Sequence, residues 1–242
     1  MLWGYFLKIV IVSRLEILTD YVYSDDAYAG IPMIVAMIAY SFQIYCDFAG
    51  YSSIAIGAAR IMGFDIMRNF RQPYLAVSVV DFWRRWHISL STWFRDYLYI
   101  PLGGNRVGTV RKYLNIMIVF LVSGIWHGAN MTFVVWGALF GLYQILGYVM
   151  KPVKNKLNEL SGIDKYPKIK KFLCVVWTYV IVSVTWIFFR SGTIAVAIND
   201  IGRTFKGIKL SNIYDGTLFG LGLGVMNFAF VIIAVLVLTI LD

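Results

Sequence analysis

The stretch IPMIVAMIAYSFQIYCDFAGYSSIAIGAA, Ile31–Ala59, carries one charged side chain, Asp47, in an otherwise apolar or weakly polar run. About 20 mostly apolar residues suffice to cross a bilayer, so this segment reads as a transmembrane helix. It is entered from an acidic stretch (Asp20, Asp25, Asp26) and left at Arg60, an asymmetry that directs it from outside to inside. Gln43 and Asp47 lie in its middle, four residues apart and therefore on one face. A carboxyl group at that depth is costly and should face the bundle interior. There it either pairs with a neighbouring helix or lines a functional cavity.

The whole chain agrees with this reading. Of its 242 residues, 60% are hydrophobic, 17% aromatic and 14% charged, and the mean hydropathy is +0.71. Soluble domains carry about 25% charged and 45–50% apolar residues. A water-soluble globule could not hide the excess and a disordered chain would not contain it, so the excess faces lipid. The net charge of +9 is concentrated in two segments. Residues 58–112 contribute +6 and residues 151–171 contribute +5, leaving the rest at −2. Basic loops flanking apolar runs follow the positive-inside rule, which makes both segments cytoplasmic. No nucleic-acid-binding motif accompanies them. Cys46 and Cys174 lie within apolar runs without metal or disulfide spacing and read as small buried side chains. Met1–Val12 is apolar but lacks the basic start and cleavage site of a signal peptide. Its Gly4–Val10 portion reads as interfacial.

Outward from the first span, Arg60–Lys112 is aromatic and basic but not apolar enough to cross. Within it, Trp83, Trp86, Leu90, Trp93 or Phe94, and Tyr97 recur at steps of three and four, predicting one continuous helix that is interfacial or re-entrant. Pro101-Leu-Gly-Gly-Asn-Arg106 then breaks the chain in a tight turn. Residues 113–150 predict a hairpin of two apolar runs, Tyr113–Trp126 and Thr132–Met150. From Leu114 to His127 a helix rises roughly 20 Å against a core of about 30 Å. It therefore should stop inside the membrane with His127 near its tip. Phe172–Phe189 and Leu218–Leu241 complete the spans, and Arg190–Thr217 is expected outside. The expected fold class is an all-α polytopic transmembrane bundle with interfacial or re-entrant helices, a single membrane-embedded domain over residues 1–242. No internal repeat of a transporter kind stands out.

Two histidines offer chemistry. His127 sits in Ser123-Gly-Ile-Trp-His-Gly-Ala-Asn130, and an ionisable group in such a run is a functional-site hypothesis by default. A neutral imidazole there can accept a proton. The alternative is a buried histidine bonded to a backbone carbonyl. His87 sits in Arg84-Arg85-Trp86-His87-Ile88-Ser89. Its arginines suit either an anionic donor molecule or anionic headgroups. A serine-hydrolase elbow, a P-loop and a metal-ligand cluster do not occur in the sequence.

The run from Asp81 to Arg106, DFWRRWHISLSTWFRDYLYIPLGGNR, followed by Ser123-Gly-Ile-Trp-His-Gly-Ala129, resembles the membrane-bound O-acyltransferase family. Within that family it looks most like the branch of bacterial alginate O-acetyltransferases, which also includes peptidoglycan O-acetylation proteins. The Pro-Leu-Gly-Gly-Asn-Arg turn favours it over the related D-alanyl transfer proteins of teichoic acid modification. The similarity is strongest over residues 40–145. It implies transfer of an acyl group, acetyl above all, from a cytoplasmic thioester across the membrane to a hydroxyl on the outer side. His127 matches the family's catalytic base and His87 its second histidine. Trp126, Asp47, Gln43, Arg84, Arg85, Ser89 and Asn130 become candidates for lining the substrate channel. The resemblance implies no bound cofactor or metal, with acetyl-CoA or an acyl-carrier thioester as co-substrate. It further implies a polysaccharide acceptor, an extracytoplasmic acetyltransferase partner, and a multi-pass location in the bacterial cytoplasmic membrane. Family proteins are longer, so the chain is expected to be cut at both ends. The competing readings are a transporter or proton relay built on Asp47, His87 and His127, and an inactive fragment of the acyltransferase.

Overall fold

The computed structural model describes residues 1–241, with side chains through Thr239, and among these residues every regular element is helical. The order is α1 (Leu2–Tyr5), a π-helical stretch (Phe6–Val12), α2 (Ser13–Tyr23), α3 (Ile31–Ile61), α4 (Val79–Trp83) and α5 (Ile88–Phe94). There follow α6 (Thr109–His127), α7 (Met131–Val149), α8 (Lys151–Ser161), α9 (Pro167–Arg190), α10 (Ile194–Phe205) and α11 (Gly224–Leu241). Four of these, α3, α6, α7 and α9, are long and apolar enough to cross a membrane. The protein is an integral membrane protein with an all-α helical bundle. Two compact units divide the chain, residues 1–69 with 195–242, and residues 70–194.

In the first unit, α1, the π-helical stretch and α2 run on without a break from Leu2 to Tyr23. Leu7, Ile11, Leu15, Leu18 and Val22 recur at helical spacing and are all buried, and this face packs along α3. The interfacial segment expected at Gly4–Val10 is thus part of a longer packed helix. Gly4 and Gly50 make the crossing possible, because a Cβ on either would press on the other's carbonyl oxygen. Small residues let helix backbones approach closely where lipid supplies no hydrophobic drive. Across the same interface Lys8 forms an ion pair with Asp47, and Thr19 donates to the Gln43 side chain at 2.8 Å. Both polar groups in the middle of α3 are therefore engaged by the N-terminal helix.

Arg203 on α10 is the polar keystone of this unit. Its guanidinium reaches Asp200 at 3.1 Å and Asp26 at 2.9 Å. It also donates to the carbonyls of Tyr28, Val22 and Asp25, which fastens α10 to the turn before α3. Asp200 is only 4% exposed, so removing the guanidinium takes the counter-charge from a buried carboxylate. Breaking such a pair costs about 3 kcal/mol or more. Arg203→Met is expected to lower the thermal unfolding temperature in detergent markedly, and an unchanged melting curve would contradict this assignment.

In the second unit, α6 and α7 pack against each other as a hairpin, turning at Gly128–Asn130. A Cβ on Gly124 would overlap the Phe133 carbonyl oxygen, and one on Gly137 the Phe120 carbonyl oxygen. The two backbones therefore touch. Around them α4, α7 and α9 meet through rings, with Phe82 stacked on Phe140 (6.1 Å, 4°) and Trp136 on Trp186 (5.8 Å, 25°).

Several expectations change. The α6 helix begins at Thr109 and not near Leu114, because Arg111 and Lys112 lie inside its first turn. Its 19 residues rise about 28 Å, close to a full crossing, so shortness no longer argues that His127 sits mid-membrane. The single helix expected around Trp83–Tyr97 is two, α4 and α5, with a break over Arg84–His87. The lysine-rich segment contains α8, and the span expected from Leu218 starts only at Gly224, after a 3-10 turn at Thr217–Gly220.

Candidate active site

The break between α4 and α5 is built from its sequence. Ser78 caps α4, its hydroxyl accepting from the Asp81 amide at 3.1 Å. Asp81 in turn accepts from the Val77 amide at 3.1 Å and from the Arg85 Nε at 2.9 Å. At His87 the backbone is left-handed, with φ +45° and ψ +55°. A non-glycine residue held there stores about 1–3 kcal/mol, and such strain clusters at functional sites. The bend lets Trp86 enter the core, 4% exposed, while His87 starts α5 beside Ser89, whose Oγ lies 3.5 Å from its Nδ1.

His127 is the last residue of α6, and Gly128 ends the helix at φ +153°, where a side chain would press on the Phe133 ring. The imidazole is ringed by aromatic edges. Trp126 lies 4.9 Å away, Trp136 and Phe189 5.1 Å each, and Phe133 6.2 Å, all between ring centroids. His87 shares one of these neighbours, Trp126, at 6.4 Å. The two histidine motifs, forty residues apart in sequence, therefore converge on one indole.

Beneath this cluster lies an open cavity of about 460 Å³ lined by residues of α4, α5, α6 and α7. Arg84 and Arg95 contribute charge, and Tyr99, Asn105, Gln144 and Tyr148 contribute polar groups. Phe120, Ser123 and Trp83 also line it. Because α7 runs antiparallel to α6, Gln144 and Tyr148 lie toward the α6 start, and Ser123 lies toward His127. Trp83 packs on Trp136 at 5.7 Å, and Trp136 packs on His127 at 5.1 Å, so a short aromatic chain joins the cavity wall to the imidazole. The Pro101–Arg106 turn is held by Asn115, whose Nδ2 donates to the Leu102 carbonyl at 3.0 Å. Asn105 in that turn accepts from the Tyr99 hydroxyl at 2.6 Å. Beside the cavity, the Arg95 guanidinium hydrogen-bonds Asp96 and holds its carboxyl below the usual carboxylate range.

The other sequence candidates sort themselves. Arg84 lines the cavity, whereas Arg85 is taken up by Asp81. Asn130 is a helix cap. Its Oδ1 accepts from the Thr132 amide at 3.1 Å and its Nδ2 donates to the Gly192 carbonyl at 2.8 Å. Asp47 and Gln43 belong to the first unit, on Lys8 and Thr19. Sequence reasoning did not single out Arg95, Gln144, Tyr148 or Ser123, although Ser123 opens the motif that ends in His127 and Gly128.

The model of the membrane-bound O-acyltransferase family matches residues 1–189. Among curated proteins, a probable alginate O-acetylase AlgI of Pseudomonas putida is 38% identical over 241 residues, 96% of this chain and 46% of that protein. A peptidoglycan O-acetyltransferase of Helicobacter pylori is 37% identical over 206 residues, 85% of this chain and 37% of that protein. A teichoic acid D-alanyltransferase of Streptococcus thermophilus is 28% identical over 199 residues, 76% of this chain and 46% of that protein. The chain spans about half the length of the curated relatives it matches. The two histidine motifs, the all-α membrane bundle and the family match agree: this chain belongs to the membrane-bound O-acyltransferase family.

Proposed function

We propose that this chain is the catalytic part of a bacterial cytoplasmic-membrane O-acetyltransferase. It takes an acetyl group from a cytoplasmic thioester, acetyl-CoA or an acyl-carrier thioester, and passes it across the membrane for O-acetylation of an extracytoplasmic polysaccharide. The observation that carries this reading is the placement of His127 in an aromatic cage at the end of α6, joined by Trp136 and Trp83 to a cavity one helical turn away. The roles follow from chemistry. His127 removes the proton of an attacking hydroxyl as that oxygen bonds to the thioester carbonyl carbon, then returns the proton to the departing thiolate. The apolar rings around the imidazole suit a site that disfavours water, which would protect the thioester from hydrolysis. Relatives named for alginate and peptidoglycan acetylation support a polysaccharide acceptor, and a separate extracytoplasmic acetyltransferase is the expected receiving partner.

The Arg95 guanidinium is already paired with Asp96, whereas Arg84 suits the phosphates of a pantetheine-bearing donor, since charge-assisted hydrogen bonds to phosphate are the strong ones. Losing one is worth about 1.5–3 kcal/mol. Arg84→Ala is therefore expected to raise KM for acetyl-CoA roughly tenfold or more while leaving kcat within a factor of about two. An unchanged KM would remove Arg84 from donor binding. The direct test of the function uses membrane vesicles carrying the intact protein, supplied with radiolabelled acetyl-CoA. Labelled O-acetyl esters on glycan are the expected product. Vesicles that never label, with intact protein present, would overturn the reading.

A further inference from the structure

Among the buried helix hydroxyls of the second unit, Ser123 is set apart by lining the cavity, whereas the unbonded hydroxyls of Thr132 and Ser183 are sealed away from any partner. Thr178, Thr185, Ser191 and Thr204 each spend their hydroxyl on the carbonyl one turn back, at 2.7–2.8 Å. Ser123 is 4% exposed, yet its side chain forms no hydrogen bond among the described residues and is not among the sealed, unpartnered polar atoms. It lines the cavity instead. The other α6 residues on that wall, Ile116, Val119 and Phe120, are apolar, so this hydroxyl is the polar group that α6 presents there. Ser123 and His127 are four residues apart on one helix, hence on one face and about 6 Å apart along the axis. The neighbouring Gly124, backed directly onto the Phe133 carbonyl, fixes which face of α6 meets the cavity.

We propose that the Ser123 hydroxyl donates a hydrogen bond to the carbonyl oxygen of the donor thioester and holds the negative charge that develops there. The inference rests on the acyl-transfer reading above and deepens it. An acceptor oxygen about 3 Å from both the imidazole and the carbonyl carbon keeps that carbon within about 6 Å of the imidazole, a reach that matches the one-turn rise between His127 and Ser123. In the addition step the acceptor oxygen bonds to the carbonyl carbon, its proton passes to His127, and the carbonyl π electrons move onto oxygen, opposite the Ser123 O–H. In the collapse step that electron pair re-forms the carbonyl, the carbon–sulfur bond breaks, and the leaving thiolate takes the proton from His127. The products are the O-acyl ester and the free thiol. A donor placed for the developing oxyanion acts mainly on the transition state.

The test compares the intact wild-type protein with Ser123→Ala, Ser123→Thr and His127→Ala in membrane vesicles, with radiolabelled acetyl-CoA as the probe. Loss of one such donor typically costs about 10²–10³ in kcat. Ser123→Ala is expected to lose about 100-fold in kcat with KM for acetyl-CoA within about threefold. Ser123→Thr, which keeps the hydroxyl, is expected to retain most of the rate. All variants should reach the membrane in wild-type amounts and elute as single species in detergent. Ser123→Ala turning over at the wild-type kcat, or Ser123→Thr as impaired as Ser123→Ala, overturns the role of Ser123 while leaving acyl transfer standing. Acyl transfer undiminished in His127→Ala, or absent from wild type, overturns the underlying reading and the Ser123 role with it.

Discussion

Replacing His127 with alanine is expected to lower acyl transfer from a thioester donor by about 10³-fold or more, within the range that a positioned general base contributes. Folding should survive, because the cage around the imidazole is made by side chains from three helices. Trp136 and Phe133 come from α7, Phe189 from α9, and Trp126 from α6 itself. His127→Gln sharpens the result. Glutamine keeps a polar side chain of comparable size but cannot accept the proton, so it should be as inactive as alanine. A glutamine variant that retains substantial activity would reduce His127 to a hydrogen-bonding role. His87→Ala is expected to fall less, since the His87 ring meets the cluster only through Trp126 at 6.4 Å. The measurement is initial-rate transfer of label from acetyl-CoA to glycan, normalised to protein in the vesicles.

The second large effect concerns stability. Gly137→Leu places a side chain where a Cβ alone would overlap the Phe120 carbonyl oxygen. That atom is backbone in the middle of α6 and cannot swing aside, so the hairpin must open along its length. Overpacking of a tight site typically costs 1–3 kcal/mol, occasionally more, and here about 3 kcal/mol or more is expected. Gly141→Ala, facing the flexible Met117 sulfur at 3.0 Å, should cost far less. The comparison is read from thermal unfolding of the two variants in the same detergent. Equal melting temperatures would mean that the close backbone contact does not govern the stability of the hairpin.

What the sequence made legible, and what it hid, follows from the physics of each element. Uninterrupted apolar runs identified α3, α6, α7 and α9, because crossing lipid demands length and hydropathy that soluble helices do not need. The histidine motifs gave the candidate site, and both histidine rings lie against Trp126. The elbow at His87 was hidden because the aromatic spacing of three and four continues on both sides of it. Periodicity records which residues are apolar, and a left-handed residue leaves no mark on that count. The start of α6 was hidden by Arg111 and Lys112, whose charges look like a loop although they occupy the first helical turn. Asn130 read as a channel residue, yet Asn two positions before Thr132, at the head of an apolar run, is also an N-cap pattern. Asp47 had two readings, and its ion pair with Lys8 gives it a helix-pairing role. That engagement weakens a proton relay through Asp47.

The glycine contact in the α6–α7 hairpin has a further consequence for engineering. With two backbones in direct touch at Gly124 and Gly137, the segment that carries His127 has no slack to redistribute. Much of the cavity wall, including Arg95, Thr92 and Tyr99, comes from the separate α5 stretch and the residues just after it. On the proposed acyl-transfer reading, donor preference would then be open to change on one piece of the protein while the piece that carries His127 stays still. A library confined to the α5 side should yield altered selectivity with preserved turnover, whereas changes to the hairpin should trade one against the other.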